Sequence, residues 1–537
     1  MKSFLKFMIC ALLFLQACKK DVQNSSELSV SGFGAVAFAS GDAISVYGSG
    51  FDPLADNNTV LFNGVKGEVA TATPNRLQVI APVLVSSGKI TVTVHGKSVT
   101  CAQSYTIVNV LQGTYNDNFI LTADKKYLLR GDVVFNSKLS VEPGTIIYGE
   151  KATHGSLTAK DIDFSGSADK PIIFTSDQPA GSRFPGDWKG VIIGAENPNN
   201  TGTQVPNGIF QYVRIEYAGY HNATGAGSGL NINLTPGSIY KYIQVSYSSG
   251  AGITMTALNG GFINHIIAFG CLADDFRVSG TAIKAQFGLG LKDPYFADSF
   301  YKGNGITTVG TTNNQFSNFT LVGYNPDARN ILNLGPTVNS DAGSGILLGN
   351  AFSPKGEQLY ASDFIAIYNS VIAASWQSGV AIVSSQNTNL NNYENEGGYA
   401  RIFIRNCFFA GTSPAQLPVR GGMFGRIDEK SVKGGFITDG IQPKRVIFGQ
   451  VNDTTKVLSF SQQKDDLGIN GLADYSHLND PTLLPANGSI LLKGAIFPSG
   501  SDADSPFFDK NVVYIGAFGT EDWTKNWSSF NPQDNKY

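Results

Sequence analysis

The chain has 537 residues, of which 39 are Lys or Arg and 42 are Asp or Glu, so its formal net charge is −3. Because Lys and Arg do not outnumber Asp and Glu, the chain lacks the excess positive charge that binds nucleic-acid phosphates. This argues against a DNA- or RNA-binding protein. With 61 Gly, 35 Phe and 21 Tyr against 4 Met, the composition favours short strands and tight turns over helices. Aromatic residues at 11% also exclude a disordered chain.

Residues 1–17 are predicted to be a signal peptide. Two lysines precede nine apolar residues, Phe7 to Leu15, a run too short to span a bilayer, which takes about 20 residues. The segment Leu15-Gln16-Ala17-Cys18 resembles the lipobox of bacterial lipoproteins, in which the Cys becomes the lipidated first residue. This resemblance implies lipidation of Cys18 and a tether over residues 18–27. An ordinary signal peptide with an incidental Cys is the alternative.

Lipidation would make this chain a tethered protein, because two or more acyl chains anchor stably at about 0.8 kcal/mol per buried CH₂. No later stretch of the sequence approaches 18 consecutive apolar residues. The run Lys19-Lys20-Asp21 resembles the surface-export signals of lipoproteins from the Bacteroidetes group. We therefore expect a lipid anchor in a bacterial outer membrane, with the chain facing the cell exterior.

Residues 28–108 are predicted to form a small β-sandwich. Alternating segments such as Ala43 to Tyr47 are separated by turns, and Asn63-Gly64 is a strong hairpin signal. The pieces Gly48-Ser49-Gly50-Phe51 and Val79-Ile80-Ala81-Pro82 resemble the IPT/TIG family. That resemblance implies an immunoglobulin-like fold that acts as a spacer or binding module. We expect Cys101 to be buried as a small hydrophobe.

Residues 109–537 are predicted to form a β-solenoid. The segment from Tyr212 to Tyr217 is repeated thirty residues later. A second series of strand-like segments begins at an Asn each time: Asn264, Asn318, Asn369 and Asn406. Imperfect repeats of this kind indicate the stacked coils of a parallel β-helix, in which we expect the Asn amides to form a ladder between coils. An ordinary large β-sandwich is the alternative.

Three segments of this region are Val141-Glu142-Pro143-Gly144-Thr145, Gly186-Asp187-Trp188-Lys189-Gly190 and Asp274-Asp275-Phe276. They resemble a family of secreted bacterial right-handed parallel β-helix proteins of unassigned activity. The resemblance implies the fold for 109–537. Relatives commonly carry a further acidic pair one coil earlier, where this chain has Ser248-Ser249-Gly250-Ala251.

Asp274 and Asp275, followed by Arg277, are the catalytic candidates. Polysaccharide hydrolases use two carboxylates as acid and base, and lyases use acidic residues that hold Ca²⁺ beside a basic residue. Adjacent residues of a regular strand face opposite ways, so these carboxylates would converge only at a turn. The alternative is an acidic turn that caps backbone N–H groups or holds a structural cation such as Ca²⁺. We expect no other cofactor.

Aromatic residues supply the ligand-binding candidates, because sugars dock on aromatic faces. Tyr295, Phe296, Phe300 and Tyr301 lie within one loop, and Tyr217 and Tyr220 form a second group. The alternative for both groups is that the rings cover the solenoid core. His265 is interpreted as a structural residue.

Since no catalytic constellation stands out, we favour a non-catalytic protein over an enzyme. The preferred hypothesis is an outer-membrane lipoprotein whose solenoid binds glycans or surface proteins. The alternatives are a polysaccharide lyase or glycoside hydrolase acting in the β-helix, and a structural envelope protein without a soluble ligand.

Overall fold

The computed structural model describes residues 27–194, 208–221, 227–257, 260–293, 303–309, 313–323, 345–349, 364–373, 380–383, 401–410, 456–458, 479, 481, 484–497 and 506–537. These residues contain strands and two 3₁₀ turns, Ala55–Asn57 and Ile490–Leu492, and no α-helix. None of them belongs to a helix that could cross a membrane. The chain divides into two compact units between Ile107 and Val108.

The first unit is an eight-stranded β-sandwich. Its strands are β1 (Ser29–Phe33), β2 (Ala37–Phe38), β3 (Ala43–Ser49), β4 (Asn58–Phe62), β5 (Val65–Thr73), β6 (Arg76–Ile80), β7 (Gly88–Val94) and β8 (Lys97–Ile107). They follow the order β1-β3-β6-β5-β4-β7-β8-β2. Strand β5 pairs with β6 in one antiparallel sheet and with β4 in the other, which confirms the predicted sandwich.

The tight turns of this sandwich follow from its sequence. Asn63 and Gly64 adopt φ angles of 45° and 89°, so the β4–β5 hairpin turns where the Asn-Gly signal predicts. Apolar residues at alternate strand positions, such as Val60, Phe62 and Val79, are fully buried between the sheets. Cys101 is buried among them, as predicted.

The second unit begins with β9 and contains 25 described strands in one continuous hydrogen-bonded sheet. The strands are β9 (Asn109–Tyr115), β10 (Phe119–Leu121), β11 (Lys126–Phe135), β12 (Leu139–Val141), β13 (Ile146–Gly149), β14 (Ser156–Ala159), β15 (Ile162–Ser165), β16 (Ile172–Ser176), β17 (Gly190–Ile193), β18 (Ile209–Glu216), β19 (Ser228–Asn233), β20 (Ile239–Ser246), β21 (Ala251–Ala257), β22 (Gly261–Phe269), β23 (Phe276–Gly280), β24 (Ile283–Leu291), β25 (Ile306–Val309), β26 (Asn314–Val322), β27 (Ile346–Gly349), β28 (Phe364–Tyr368), β29 (Val371–Ala373), β30 (Val380–Val383), β31 (Arg401–Arg405), β32 (Phe408–Ala410) and β33 (Lys456–Leu458).

All ladders between these described strands are parallel, so the solenoid prediction is confirmed and the sandwich alternative is wrong. The first halves of β18, β20, β22 and β24 stack on one another and form the first side of the coil. Their second halves form the second side, and β17, β19, β21 and β23 form the third. Inward-facing residues from all three sides, including Phe174, Ile215, Leu230 and Ile253, make one elongated core.

The corner between the first and second sides is a column of residues with positive φ. The column contains Tyr212, Tyr242, His265, Phe287, Asn318, Asn369 and Asn406, with φ between 45° and 60°. Asn tolerates this left-handed conformation better than most residues, which explains the Asn series in the sequence. The prediction for Asn264 is wrong by one position, because His265 occupies the corner in that coil.

Two kinds of contact hold this corner column together. The rings of Tyr212 and Tyr242 stack at 4.4 Å between centroids, and His265 stacks on Tyr242 at 4.5 Å. Further along, Asn406 Nδ2 donates to Asn369 Oδ1 at 2.7 Å, as expected for an amide ladder. The column is therefore an aromatic stack in its first coils and an amide ladder at Asn369 and Asn406.

The C-terminal residues 515–537, here called the return segment, run back along the outside of the second side. Gly516 N donates to Asn369 O at 2.8 Å, Ser529 N to Gln244 Oε1 at 2.8 Å, and Tyr537 OH to Glu216 Oε1 at 2.6 Å. A second hydrophobic core forms beneath the segment, between its side chains and the outward-facing residues of the coils. Its buried members include Ile267, Phe269, Leu289, Leu291, Val322, Ile515, Phe518 and Trp527.

Candidate functional site

The corner between the second and third sides carries the catalytic candidates of the sequence. Asp275 lies at the turn before β23, and its side chain is fully buried. Its Oδ1 lies 2.9 Å from Nζ of Lys292, which is also fully buried. The carboxyl group is thus closed to solvent in this structure, and a catalytic role for Asp275 stays a prediction.

Asp274 points away from Asp275 and has separate partners. Its Oδ2 pairs with Arg277 Nη2 at 2.9 Å, and its Oδ1 accepts from Asn304 N at 3.2 Å and from Asn304 Nδ2 at 2.8 Å. The two carboxylates thus lie at a turn, as expected, but do not converge on a common point. Arg277 is the most exposed of the three candidates. A metal at this pair stays a prediction.

The aromatic candidates separate into different environments. Tyr217 is buried and stacks on Tyr247 with 5.5 Å between centroids, and its role in ligand binding stays a prediction. Tyr220 is half-buried and stacks on His154 at 3.4 Å. The four aromatic residues of the loop, Tyr295, Phe296, Phe300 and Tyr301, lie outside the described residues, and so does Cys18.

His265 sits in the corner column, as its structural interpretation requires. It lies between the rings of Tyr242 and Phe287, and its Nδ1 lies 2.9 Å from Asn264 Oδ1. Burial and the nearby Lys241 lower its pKa to about 4. The imidazole is therefore neutral at physiological pH and serves as part of the stack.

A cluster that the sequence did not indicate lies at the same corner, three to four coils earlier. Lys151 Nζ pairs with Asp187 Oδ1 at 2.7 Å, while Asp187 Oδ2 accepts from Ser176 Oγ at 2.7 Å and from Phe184 N at 3.0 Å. Asp177 Oδ1 accepts from Lys151 N at 3.2 Å. These contacts hold the loop between β16 and β17 against the turn between β13 and β14.

Phe184, Lys151, His154 and Tyr220 together form an outward-facing group, here called the corner patch. Phe184 is 56% exposed, and Lys151 Nζ lies 5.9 Å from the centre of its ring. His154 Nδ1 lies 3.4 Å from Asp187 O, which brings the stacked His154–Tyr220 pair beside the same loop. The patch thus combines apolar ring faces with a cation and imidazole nitrogens.

The carboxyl group of Asp177 is buried within this cluster. Burial raises the pKa of Asp177 to about 7, and the neighbouring Asp187 and Glu150 charges add to the shift, although Gln178 and Lys151 N oppose it. The folded state therefore holds this proton more tightly than the unfolded state does. As the pH rises from about 4 to about 7, the unfolded chain loses the proton first, and the free energy of unfolding falls.

We expect Asp177→Asn to stabilise the chain at alkaline pH, since the amide keeps an oxygen for Lys151 N and cannot ionise. The gain should be about 1–3 kcal/mol near pH 8 and close to zero near pH 4. Urea unfolding of both proteins at the two pH values measures it. Asp163→Asn, at a side chain more than a third exposed, is the control and should show no such pH-dependent gain.

The sequence contained only a weak signal for the corner patch. Its members come from three coils, between residues 151 and 220, and they do not recur at a regular interval in the sequence. Asp187 belongs to the segment Gly186-Asp187-Trp188, which was noted only for its resemblance to the β-helix family. The burial of Trp188, whose Nε1 donates to Glu216 O at 2.8 Å, explains that segment as a packing feature that also places Asp187.

Comparison with known families agrees with this architecture. Residues 29–108 match the model of the IPT/TIG domain, and residues 113–334 match that of the pectate-lyase like beta helix domain. These matches place an IPT/TIG domain at residues 29–108 and a pectate-lyase-like β-helix domain at residues 113–334. No curated protein matches it.

Solved structures resemble only parts of this chain or resemble it distantly. An auxiliary nutrient binding protein from Bacteroides ovatus is 23% identical over 17% of this chain and 24% of its own, with a TM-score of 0.15. The family 28 exopolygalacturonase of Yersinia enterocolitica is 10% identical over 72% of this chain and 92% of its own, with a TM-score of 0.18. This chain spans about a quarter of the Bacteroides protein. At such identities and TM-scores neither likeness bears on activity.

Proposed function

We propose that this chain is a non-catalytic glycan-binding lipoprotein of a bacterial outer membrane, held by lipidated Cys18. Its IPT/TIG domain acts as a spacer, and its β-helix domain presents the corner patch to the glycan. The observation that carries the proposal is the exposed ring of Phe184 beside Lys151 and the stacked pair of His154 and Tyr220. Ring faces pack on the apolar faces of sugars, while the charged and imidazole nitrogens bond to their hydroxyl groups.

The burial and the hydrogen bonds of the carboxyl groups favour glycan binding over glycan cleavage. Hydrolysis of a glycosidic bond needs one carboxyl group that gives a proton and another that attacks or activates water, both within reach of the sugar. Asp187 uses both oxygens for Lys151, Ser176 and Phe184 N, and it is only 3% exposed. Asp275 is closed to solvent altogether. Among the described residues of this corner, the carboxylates hold loops in place.

The stacked coils also suit a binding surface. The parallel ladders fix neighbouring coils at strand spacing, and the return segment lies across several of them. A surface built on such a frame loses little conformational entropy when it binds, because its side chains are already ordered. Polysaccharide cleavage, which the pectate-lyase-like description and the partly exposed Arg277 beside Asp274 would favour, is the second candidate function.

Titration calorimetry of the full chain against a panel of soluble polysaccharides tests the proposal. For a polysaccharide that binds, we expect Phe184→Ala and Tyr220→Ala each to weaken the affinity about tenfold, or about 1.4 kcal/mol. Tyr47→Ala, at an exposed ring of the IPT/TIG domain, is the matched control and should bind like the parent chain.

Two outcomes would contradict the proposal. The first is unchanged affinity in both patch variants, with thermal melts that show them folded. The second is release of new reducing or unsaturated ends from the polysaccharide over time, which Asp274→Asn abolishes and Phe184→Ala leaves intact. That second result would establish cleavage at the acidic pair instead.

A further inference from the structure

The buried pair of Lys292 and Asp275 joins two neighbouring coils. Asp275 precedes β23, and Lys292 follows β24 one coil further on. Both side chains are fully buried, and Nζ lies 2.9 Å from Oδ1. Yet neither oxygen of Asp275 accepts a hydrogen bond of acceptable geometry, so the amine lies beside the carboxyl group without the alignment of an ordinary charged pair.

Glycines on both sides make room for this contact. A Cβ on Gly290 would lie 2.5 Å from Asp275 Oδ2, and a Cβ on Gly303 would lie 2.7 Å from Lys292 Nζ. Larger residues at either position would push the two groups out of place. The surroundings thus enclose the amine and the carboxyl group tightly.

The neighbouring carbonyl groups orient the amine. Lys292 Nζ donates to Cys271 O at 3.2 Å and also to Ala273 O. An uncharged amine has two N–H groups and one lone pair, and these two carbonyls are acceptors for its N–H groups. Burial raises the pKa of Asp275 to about 7, which favours the uncharged acid that a nucleophile can attack.

We propose that Lys292 and Asp275 form an intramolecular isopeptide bond between Nζ and Cγ. The lone pair of Nζ attacks Cγ, the new C–N bond forms, and the C–O bond to the acid hydroxyl breaks. One proton of Nζ leaves with that hydroxyl as water, so the atoms balance without an oxidant or a second reactant. The product is a neutral amide in place of two buried ionisable groups, whose burial is costly.

Such a bond would be a covalent staple between consecutive coils, in addition to the backbone ladder. It depends on the fold alone and is independent of glycan binding, so its failure and that of the proposed function can be told apart.

Tryptic digestion and tandem mass spectrometry of the purified full chain test the bond. Residues 242–277 and 285–292 are separate tryptic peptides when Lys292 is free. With the bond in place, trypsin cannot cleave after Lys292, and residues 242–277 should be joined to residues 285–302. The joined species should be about 18 Da, one water, lighter than the sum of its two peptides.

Lys292→Arg is the matched control, because the guanidinium keeps the charge but cannot form this amide. Its digest should be cleaved after position 292 and should contain no joined species. Free peptide 285–292 with unlinked 242–277 as the main products of the parent chain would overturn the proposal. So would loss of water within peptide 242–277 alone, since that result means dehydration of an Asp without a crosslink.

Discussion

Trp527→Ala is expected to lower the free energy of unfolding of the β-helix domain by about 3–5 kcal/mol. The indole is 1% exposed, and the rings of Tyr212 and Tyr242 meet it edge-on at 5.9 Å each. Its Nε1 donates to Trp523 O at 2.8 Å. Removing the ring opens a cavity between the return segment and the coils, and close-packed coils held by backbone ladders cannot collapse into it.

Urea unfolding followed by far-ultraviolet circular dichroism measures this loss. Phe507→Ala is the control, because Phe507 is mostly exposed and stacks on Phe262 at 5.8 Å between centroids. We expect it to cost less than about 1 kcal/mol. Trp527→Ala should also make the return segment more sensitive to protease. Equal stability of the two variants would show that the second core contributes little to the domain.

Tyr242→Val should destabilise the β-helix domain by about 3 kcal/mol or more, through two separate effects. The variant loses the stacking of Tyr242 on Tyr212 and His265 and the contact with Trp527. It also places a β-branched residue at a φ of 55°, a conformation in which β-branched side chains are more strained than Tyr or Asn.

Tyr242→Asn separates the two effects. It loses the same ring contacts, but Asn tolerates the left-handed conformation, as it does at Asn318 in the same column. We therefore expect Tyr242→Asn to be more stable than Tyr242→Val by about 1 kcal/mol in urea unfolding. Equal free energies of unfolding for Tyr242→Val and Tyr242→Asn would show that the corner does not impose the left-handed conformation.

The fold could be predicted because its signals are local. Asn63-Gly64 predicts a hairpin from the backbone preferences of two residues, and the repeat of Tyr212 to Tyr217 thirty residues later marks two consecutive coils. It was harder to predict which residue of each coil lies at the corner. Asn shows its preference for the corner in the sequence, whereas Tyr242 and His265 occupy the corner with neighbouring rings on both sides. Asn264 was accordingly assigned one position early.

The sites could be predicted less well, because they depend on loops that meet at a corner. Asp274 and Asp275 were singled out as adjacent acids, but the turn directs one toward Arg277 and the other toward Lys292. The corner patch joins Lys151, Phe184 and Tyr220 across three coils. Since each coil has loops of its own length, no fixed spacing connects such residues.

From the sequence alone followed the all-β class and the stacked coils, because alternation and turn preferences act between near neighbours. The IPT/TIG domain followed from a resemblance to that family. Only the tertiary structure decided that the return segment covers the second side and that Asp275 is closed to solvent. It also decided that an aromatic and cationic surface gathers at the corner. These features arise from contacts between residues tens to hundreds of positions apart, which form only after the coils have stacked.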